Sequence, residues 1–264
     1  MDLQLNNRHA LVIGSTAGIG FAIARGLAAE GAQVTITGRT QTNVDAALAR
    51  LRSSVPGAKA DGVAADCASA AGAEKVFARV AEVDILVNNL GIYERKPFFG
   101  IADADWLRLF EVNVLSGVRF ARRYGQGMAK RGWGRVIFVS SESALNVPRE
   151  MIHYGMTKTA QLTIARGLAM ELAGTGVTVN ALLPGPTRTE NTERLRAERA
   201  KAANMTVTDL EKDFFVSFRP TSLLKRFTSA EEVANLAVYL CSPLSCATNG
   251  AAMRADGGVV NQIM

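Results

Sequence analysis

Ser141, Tyr154 and Lys158 are the residues of this 264-residue chain whose types and spacing could do chemistry. The tyrosine stands four positions before the lysine, and in a helix positions i and i+4 share one face, one turn apart. The phenol and the ammonium then meet at one spot. A free phenol titrates near about 10 and is a poor acid–base group at neutral pH. A neighbouring cation favours the phenolate and brings it toward the working range. The hydroxyl of Ser141 would hold a substrate oxygen beside the phenol. The chemistry expected is proton transfer to or from an oxygen. Tyr-x-x-x-Lys also arises by chance, so its weight depends on the elements around it.

Those elements alternate strand and helix. His9 to Gly14 is a short apolar run ending in glycine and reads as a buried strand. Gly14, Ser15, Thr16, Ala17, Gly18, Ile19 and Gly20 follow as a glycine-rich turn, and Phe21 to Glu30 reads as an alanine-rich helix stopped by Gly31. Glycines between a strand and a helix permit a tight turn and let backbone N–H groups approach a pyrophosphate. Further strands are expected at Val34 to Gly38, Val63 to Asp66, Asp84 to Val87, Arg135 to Val139, Val177 to Leu183 and Ala251 to Ala255. Helices are expected at Thr42 to Arg52, Ala70 to Ala81, Asp103 to Lys130 and Met151 to Leu172, the last carrying Tyr154 and Lys158. This order implies an α/β fold, a parallel sheet of seven strands with helices on both faces. Glu190 to Phe227 breaks the rhythm, with two helix-like pieces at Glu193 to Ala203 and Asp209 to Phe218. A long excursion beside a strand end suggests a lid over a substrate. The chain otherwise reads as a single domain, 1–264.

Composition bounds the remaining classes. Hydrophobic residues make up 48% and charged residues 20%, enough to fill a core. No apolar run reaches membrane-spanning length, and Met1 to Arg8 lacks the apolar centre of a signal peptide. Three cysteines without a Cys-x-x-Cys argue against a zinc site or a disulfide framework, so no metal is expected and a reducing cytoplasm fits. The net charge of +6 invites a nucleic-acid reading. Its densest cluster, Arg119, Arg122, Arg123, Lys130, Arg131 and Arg135, reads instead as a solvated helix end. With no aromatic platform interleaved, no nucleic-acid partner is expected.

Taken together, Gly14-x-x-x-Gly18-x-Gly20 and Ser141…Tyr154-x-x-x-Lys158 resemble the short-chain dehydrogenase/reductase family, over about Leu5 to Val260. Asn88-Asn89-Leu90-Gly91 looks like the family's Asn-Asn-Ala-Gly, Asn113 matches its helix asparagine, and Asn180 to Pro186 its Pro-Gly segment. Asp66 matches its adenine-side aspartate. The resemblance implies a doubly wound Rossmann fold and a reversible hydride transfer between a nicotinamide and a carbonyl or alcohol carbon. It implies Tyr154 as acid and base, Lys158 as its partner and ribose ligand, Ser141 as carbonyl ligand, and Asn113 supporting a relay water. The cofactor would lie on Gly14, Ser15, Thr16, Gly18, Ile19, Gly20, Arg39, Asp66, Cys67, Asn89, Leu90, Gly91, Tyr154, Lys158, Pro184, Gly185, Thr187 and Thr189. It also implies a homotetramer or dimer. Three positions depart from the pattern: Ile13 in place of threonine, Leu90 in place of alanine, and Thr187 in place of a branched apolar residue. Enoyl reductases of this superfamily carry their lysine seven residues after the tyrosine, where this chain has Gln161.

An NAD site usually has a carboxylate at the end of the second strand. Here Gly38 is followed by Arg39, whose guanidinium could grip a 2′-phosphate. NADP is therefore the expected cofactor, with NAD as the alternative. No basic residue lies among Ser15, Thr16 and Ala17 to assist. The substrate lining is expected from Ala144, Asn146, Met151, Pro186 and the phenylalanines of the excursion. Its occupant is left open between a 3-oxoacyl thioester, a sugar, a steroid and another ketone. His153 is expected at the surface or the pocket rim, because adjacent helix positions do not share a face. A non-catalytic dinucleotide sensor is the alternative of another class.

Overall fold

The computed structural model describes residues 1–263. Nine strands and nine α-helices are found there: β1 (His9–Ile13), α1 (Gly18–Ala29), β2 (Gln33–Gly38), α2 (Gln41–Ser54), β3 (Ala60–Ala64), α3 (Ala70–Arg79), β4 (Ile85–Asn88), α4 (Asp103–Phe110), α5 (Ser116–Lys130), β5 (Gly134–Val139), α6 (Ile152–Glu171), β6 (Val177–Pro184), β7 (Thr187–Arg188), α7 (Glu190–Ala202), α8 (Val207–Asp213), β8 (Thr228–Ser229), α9 (Ala230–Cys241) and β9 (Ala252–Ala255). Seven strands form one parallel sheet in the order β3-β2-β1-β4-β5-β6-β9. The chain turns outward from β1 in both directions, so the crevice at the carboxyl ends of β1 and β4 is the switch point where such sheets bind ligands.

Each face of the sheet carries its own core. On one side α1, α2 and α9 cover Val12, Val34, Ile36 and Val87. On the other, α3, α5 and α6 cover Leu11, Leu86, Val136 and Phe138. The central strands β4, β5 and β6 are buried along their whole length, as parallel strands between two helical layers must be.

Four features differ from the sequence expectation. The helix expected from Asp103 to Lys130 is two helices joined by a π turn, Glu111–Leu115, which holds Asn113. Helix α9 was not anticipated, although Ser229 and Glu232 cap it reciprocally, Ser229 Oγ accepting from the Glu232 amide and Glu232 Oε2 from that of Ser229. The short parallel ribbon of β7 and β8, which ties Pro186 to Thr228, was also unforeseen. The basic cluster is divided: Arg122, Arg123, Lys130 and Arg131 are exposed along the end of α5 as expected, but Arg135 is not. Arg135 is fully buried on β5, where its guanidinium donates to the Ser242, Gly134 and Gly176 carbonyls, and Arg119 and Arg131 donate to the Ala68 and Val83 carbonyls.

The 190–227 excursion folds as α7, α8 and a π turn, Phe214–Phe218. Phe215 is buried against Phe227, and Phe214 stacks on the same ring at 5.0 Å. Arg196 on α7 pairs with Glu193 and Glu211. The far end is pinned to the sheet by Arg219, whose Nε and Nη2 donate to Glu142 Oε1 at 3.0 and 2.7 Å.

Candidate active site

The turn after β1 is built around one threonine. The Gly14 amide donates to Thr37 Oγ1 at 2.9 Å, and the Ser15 amide to the Thr37 carbonyl at 3.0 Å. Ser15 Oγ donates to the Val12 carbonyl and accepts from the Thr37 amide. Thr37 on β2 thus supplies a local hydroxyl that Ile13 cannot. Gly14 and Gly18 have φ of +70° and +58°, which glycine adopts without strain. A Cβ at Gly20 would overlap the Gly14 carbonyl and the Asn89 amide. Asn89 Nδ2 donates to that carbonyl at 2.8 Å, fastening the loop after β4 to the glycine-rich turn. Leu90 packs on Gly14, and Thr16 packs against Gly38.

Helix α6 presents Tyr154 and Lys158 to the same crevice. Lys158 is buried, and its Nζ lies 5.6 Å from the centroid of the Tyr154 ring. Nζ donates to the Val139 carbonyl at 2.9 Å and to Gln161 Oε1 at 3.2 Å. Gln161 Nε2 in turn donates to the main-chain carbonyl of Asn113 at 2.6 Å. The side chain of Asn113 is fully engaged: Oδ1 accepts from the Ile92 amide, and Nδ2 donates to the Ile92 carbonyl and to Thr157 Oγ1. Asn113 therefore holds the loop after β4 against α6. The side-chain amide of Gln161 bridges the Asn113 carbonyl and Lys158.

Burial dominates the electrostatics. It pushes Lys158 down to about 7. It pushes Tyr154 up to about 12, with the nearby Glu142 carboxylate acting in the same sense and a hydrogen bond with Ser141 opposing. The downward shift expected for the phenol is not found, because desolvation dominates and only the Ser141 hydrogen bond opposes it.

Ten expected residues converge on one cavity of about 300 Å³: Ile19, Asn89, Gly91, Ser141, Tyr154, Lys158, Pro184, Gly185, Thr187 and Thr189. Asn113 lies directly behind it. Arg39 and Asp66 are exposed at the ends of β2 and β3, outside this cavity. Ser15 and Cys67 are buried, and the Cys67 side chain belongs to the core, so only its backbone could meet a ligand. The expected substrate lining is divided. Phe214 and Phe218 line a neighbouring compartment of about 410 Å³ with Tyr93 and Thr192, residues that also line the first cavity. Asn146 and Met151 line a third, of about 720 Å³. Ala144 is buried, Phe215 is turned into the core, and Pro186 lines none of the three. His153 is not at a rim: it is fully buried against Trp106, ring centroids 5.8 Å apart, and burial lowers its pKa.

The sequence reading missed Thr37, Gln161 and Tyr93. Gln161 stands three residues after Lys158, a helical spacing that puts the two side chains together. Nothing in the sequence singles out Tyr93, whose ring meets Tyr154 edge-on at 6.2 Å.

A doubly wound parallel sheet, a glycine-rich turn at its switch point and a Ser–Tyr–Lys cluster beside it define a nicotinamide-dependent oxidoreductase. A family model described as enoyl-(acyl carrier protein) reductase matches residues 13–260. The uncharacterized oxidoreductase YvaG of Bacillus subtilis is 46% identical over 263 residues, covering all of both chains. Dehydrogenase/reductase SDR family member 4 of Bos taurus is 33% identical, over 98% of this chain and 89% of its own. L-sorbose reductase from Gluconobacter frateurii, solved with NADPH and L-sorbose, superposes with a TM-score of 0.93 at 30% identity, covering all of both chains. The chain belongs to the short-chain dehydrogenase/reductase family. The matching model takes its description from enoyl reductases, yet position 161, where such enzymes of this superfamily carry lysine, is glutamine.

Proposed function

We propose that this protein transfers a hydride between NADP(H) and the carbon of a carbonyl or secondary alcohol. The observation that carries the reading is the convergence of Ser141, Tyr154 and Lys158 on the cavity that Ile19, Gly185 and Thr189 also line. The nicotinamide, when bound, supplies or takes the hydride. The residues present fit a dinucleotide: Gly20 has no room for a side chain, and the Gly18 amide already holds a carboxylate, Glu190 Oε2, at 2.9 Å. Ser141 Oγ orients the substrate oxygen, and Tyr154 gives or takes the proton on it. Lys158, when charged, stabilises the phenolate that remains and is placed to bond a ribose hydroxyl. Asn113 keeps the backbone of Gly91 and Ile92 against Lys158.

NADP is favoured over NAD because Gly38 and Arg39 stand where an NAD site has its carboxylate, and because L-sorbose reductase was solved with NADPH. The 190–227 excursion serves as the lid, since Phe214 and Phe218 wall the compartment that opens beside Tyr93. That compartment takes the substituent of the substrate, and its apolar lining, with Leu195 and Leu210, sets the preference. Copies assemble as a symmetric tetramer or dimer.

NADPH absorbance is followed with a panel of ketones that includes ketoses, for the wild type and for Tyr154→Phe. Turnover is expected in the wild type and should fall about 10²–10⁴-fold in the variant, the usual worth of positioned acid–base help. A variant as active as the wild type would sink the mechanism, and a wild type inert toward every substrate while binding NADPH would favour the sensor.

A further inference from the structure

A 2′-phosphate carries close to two charges, and Arg39 is the one cation that the sequence places at the end of β2. The fold brings a second one. Arg50, on α2, reaches back across the glycine-rich turn: its guanidinium lies over the Phe21 ring at 4.2 Å and its Nη2 donates to the Thr16 carbonyl at 2.6 Å. The Thr16 side chain packs on Gly38, the residue before Arg39. Thr16 thus meets Arg50 through its carbonyl and the residue before Arg39 through its side chain, the two arginines standing eleven positions apart in sequence. Asp45 is the acid of α2, and it is engaged by Gln41.

Glu190, the first residue of α7, shows that the guanidinium of Arg50 already holds an anion beside the glycine-rich turn. Its Oε2 accepts from the Gly18 amide at 2.9 Å, and its Oε1 from Arg50 Nη1 at 3.3 Å. One carboxylate therefore bridges an amide of the glycine-rich turn and the guanidinium of α2. Both side chains are about half exposed, 47% for Arg50 and 57% for Glu190, so the pair can part without opening the core. An exposed pair of this kind is held weakly, whereas a phosphate offers a guanidinium more charge and two oxygens side by side.

We propose that Arg50 is the second cation of the subsite for the 2′-phosphate of NADP(H), and that Glu190 is the anion it gives up when that phosphate arrives. The inference rests on the NADP reading above. It replaces the basic residue absent from Ser15 to Ala17 with one delivered from a different element.

Binding of NADPH and NADH is titrated by nicotinamide fluorescence, and 2′,5′-ADP and 5′-AMP are then used as displacing probes. Wild type, Arg50→Met, Arg50→Lys and Glu190→Gln are compared, with melting midpoints to confirm the fold. Arg50→Met should weaken NADPH and 2′,5′-ADP about 10-fold and leave NADH and 5′-AMP within about twofold, the loss of one charge-assisted contact. Arg50→Lys should recover part of the loss. Glu190→Gln should tighten NADPH about 3- to 10-fold, because a neutral amide competes poorly for the guanidinium. Equal weakening of both cofactors by Arg50→Met, no weakening of either, or weaker NADPH binding in Glu190→Gln overturns the proposal. Should Arg50→Met melt early, the same ratios are read from Arg50→Lys, for which an unchanged NADPH-to-NADH ratio overturns it. Tighter NADH than NADPH in the wild type refutes the NADP reading itself, visibly before any variant is made, and the proposal with it.

Discussion

Replacing Gln161 by leucine should lower the pKa of Lys158 by about one unit. The ammonium has two acceptors, the Val139 carbonyl at 2.9 Å and Gln161 Oε1 at 3.2 Å, and leucine removes the second. A hydrogen bond from a charged group contributes about 1.5–3 kcal/mol, and the neutral amine's bond to the same acceptor about 1 kcal/mol. The charged form therefore loses about 0.5–2 kcal/mol more than the neutral one, roughly one pKa unit at about 1.4 kcal/mol each. Burial already holds Lys158 at about 7, so the variant should titrate near about 6. At pH 7 the charged fraction would fall from about a half to about a tenth. Gln161→Glu should move the pKa the other way, because it places a carboxylate against the ammonium. The leucine also leaves the Asn113 carbonyl without its partner, which costs about 1–3 kcal/mol of stability. Protein carrying ¹⁵Nζ-labelled lysine is titrated by NMR from pH 5 to 9, the Lys158 signal being the one that Lys158→Met removes. Midpoints shifted in the same direction by both substitutions, or by neither, would refute the reasoning.

Lys158 also makes stability depend on pH. Between about pH 7 and its unfolded value near about 10.4 the unfolded chain keeps a proton that the native state has lost, so this contribution grows as pH rises through that window and is lost as pH falls to 7. Urea unfolding at pH 7 and 9 should show a gain of about 2 kcal/mol in the wild type relative to Lys158→Met; parallel changes in the two proteins would contradict the buried-lysine assignment. For the assembly, light scattering at micromolar concentration should give a dimer or tetramer, and a monomer would disprove it.

The sheet, the glycine-rich turn and the meeting of Tyr154 with Lys158 were legible in the sequence because each follows from local rules. Apolar runs between glycine-rich turns give buried parallel strands, and the i, i+4 spacing on α6 brings Tyr154 and Lys158 together. What was not legible depends on distance in sequence. Thr37 replaces the hydroxyl missing at Ile13, but it sits 24 residues away on a neighbouring strand, and only the β1–β2 register brings it into reach. Arg135 looked like one more surface charge and is a buried crosslink, because its partners come from β6's approach and the end of α9. His153 was placed by the helical rule alone, which says it does not share a face with Tyr154. That is correct, but the rule cannot say that Trp106 of α4 covers the other face.

The same division runs through the chemistry. A motif tells which groups meet; burial decides which of them carry charge. Tyr154 and Lys158 meet as their spacing requires, yet the crevice pushes the phenol up to about 12 and the amine down to about 7. The protein alone thus favours the less charged form of each group. That arrangement favours the protonated phenol of Tyr154. It leaves Lys158 near half-charged at neutral pH, where the loss of a single hydrogen bond, the one it donates to Gln161, should change its charged fraction. Glu142 adds to the same bias. It follows Ser141 directly, is buried, raises the phenol's pKa, and is held by Arg219 from the end of the 190–227 excursion.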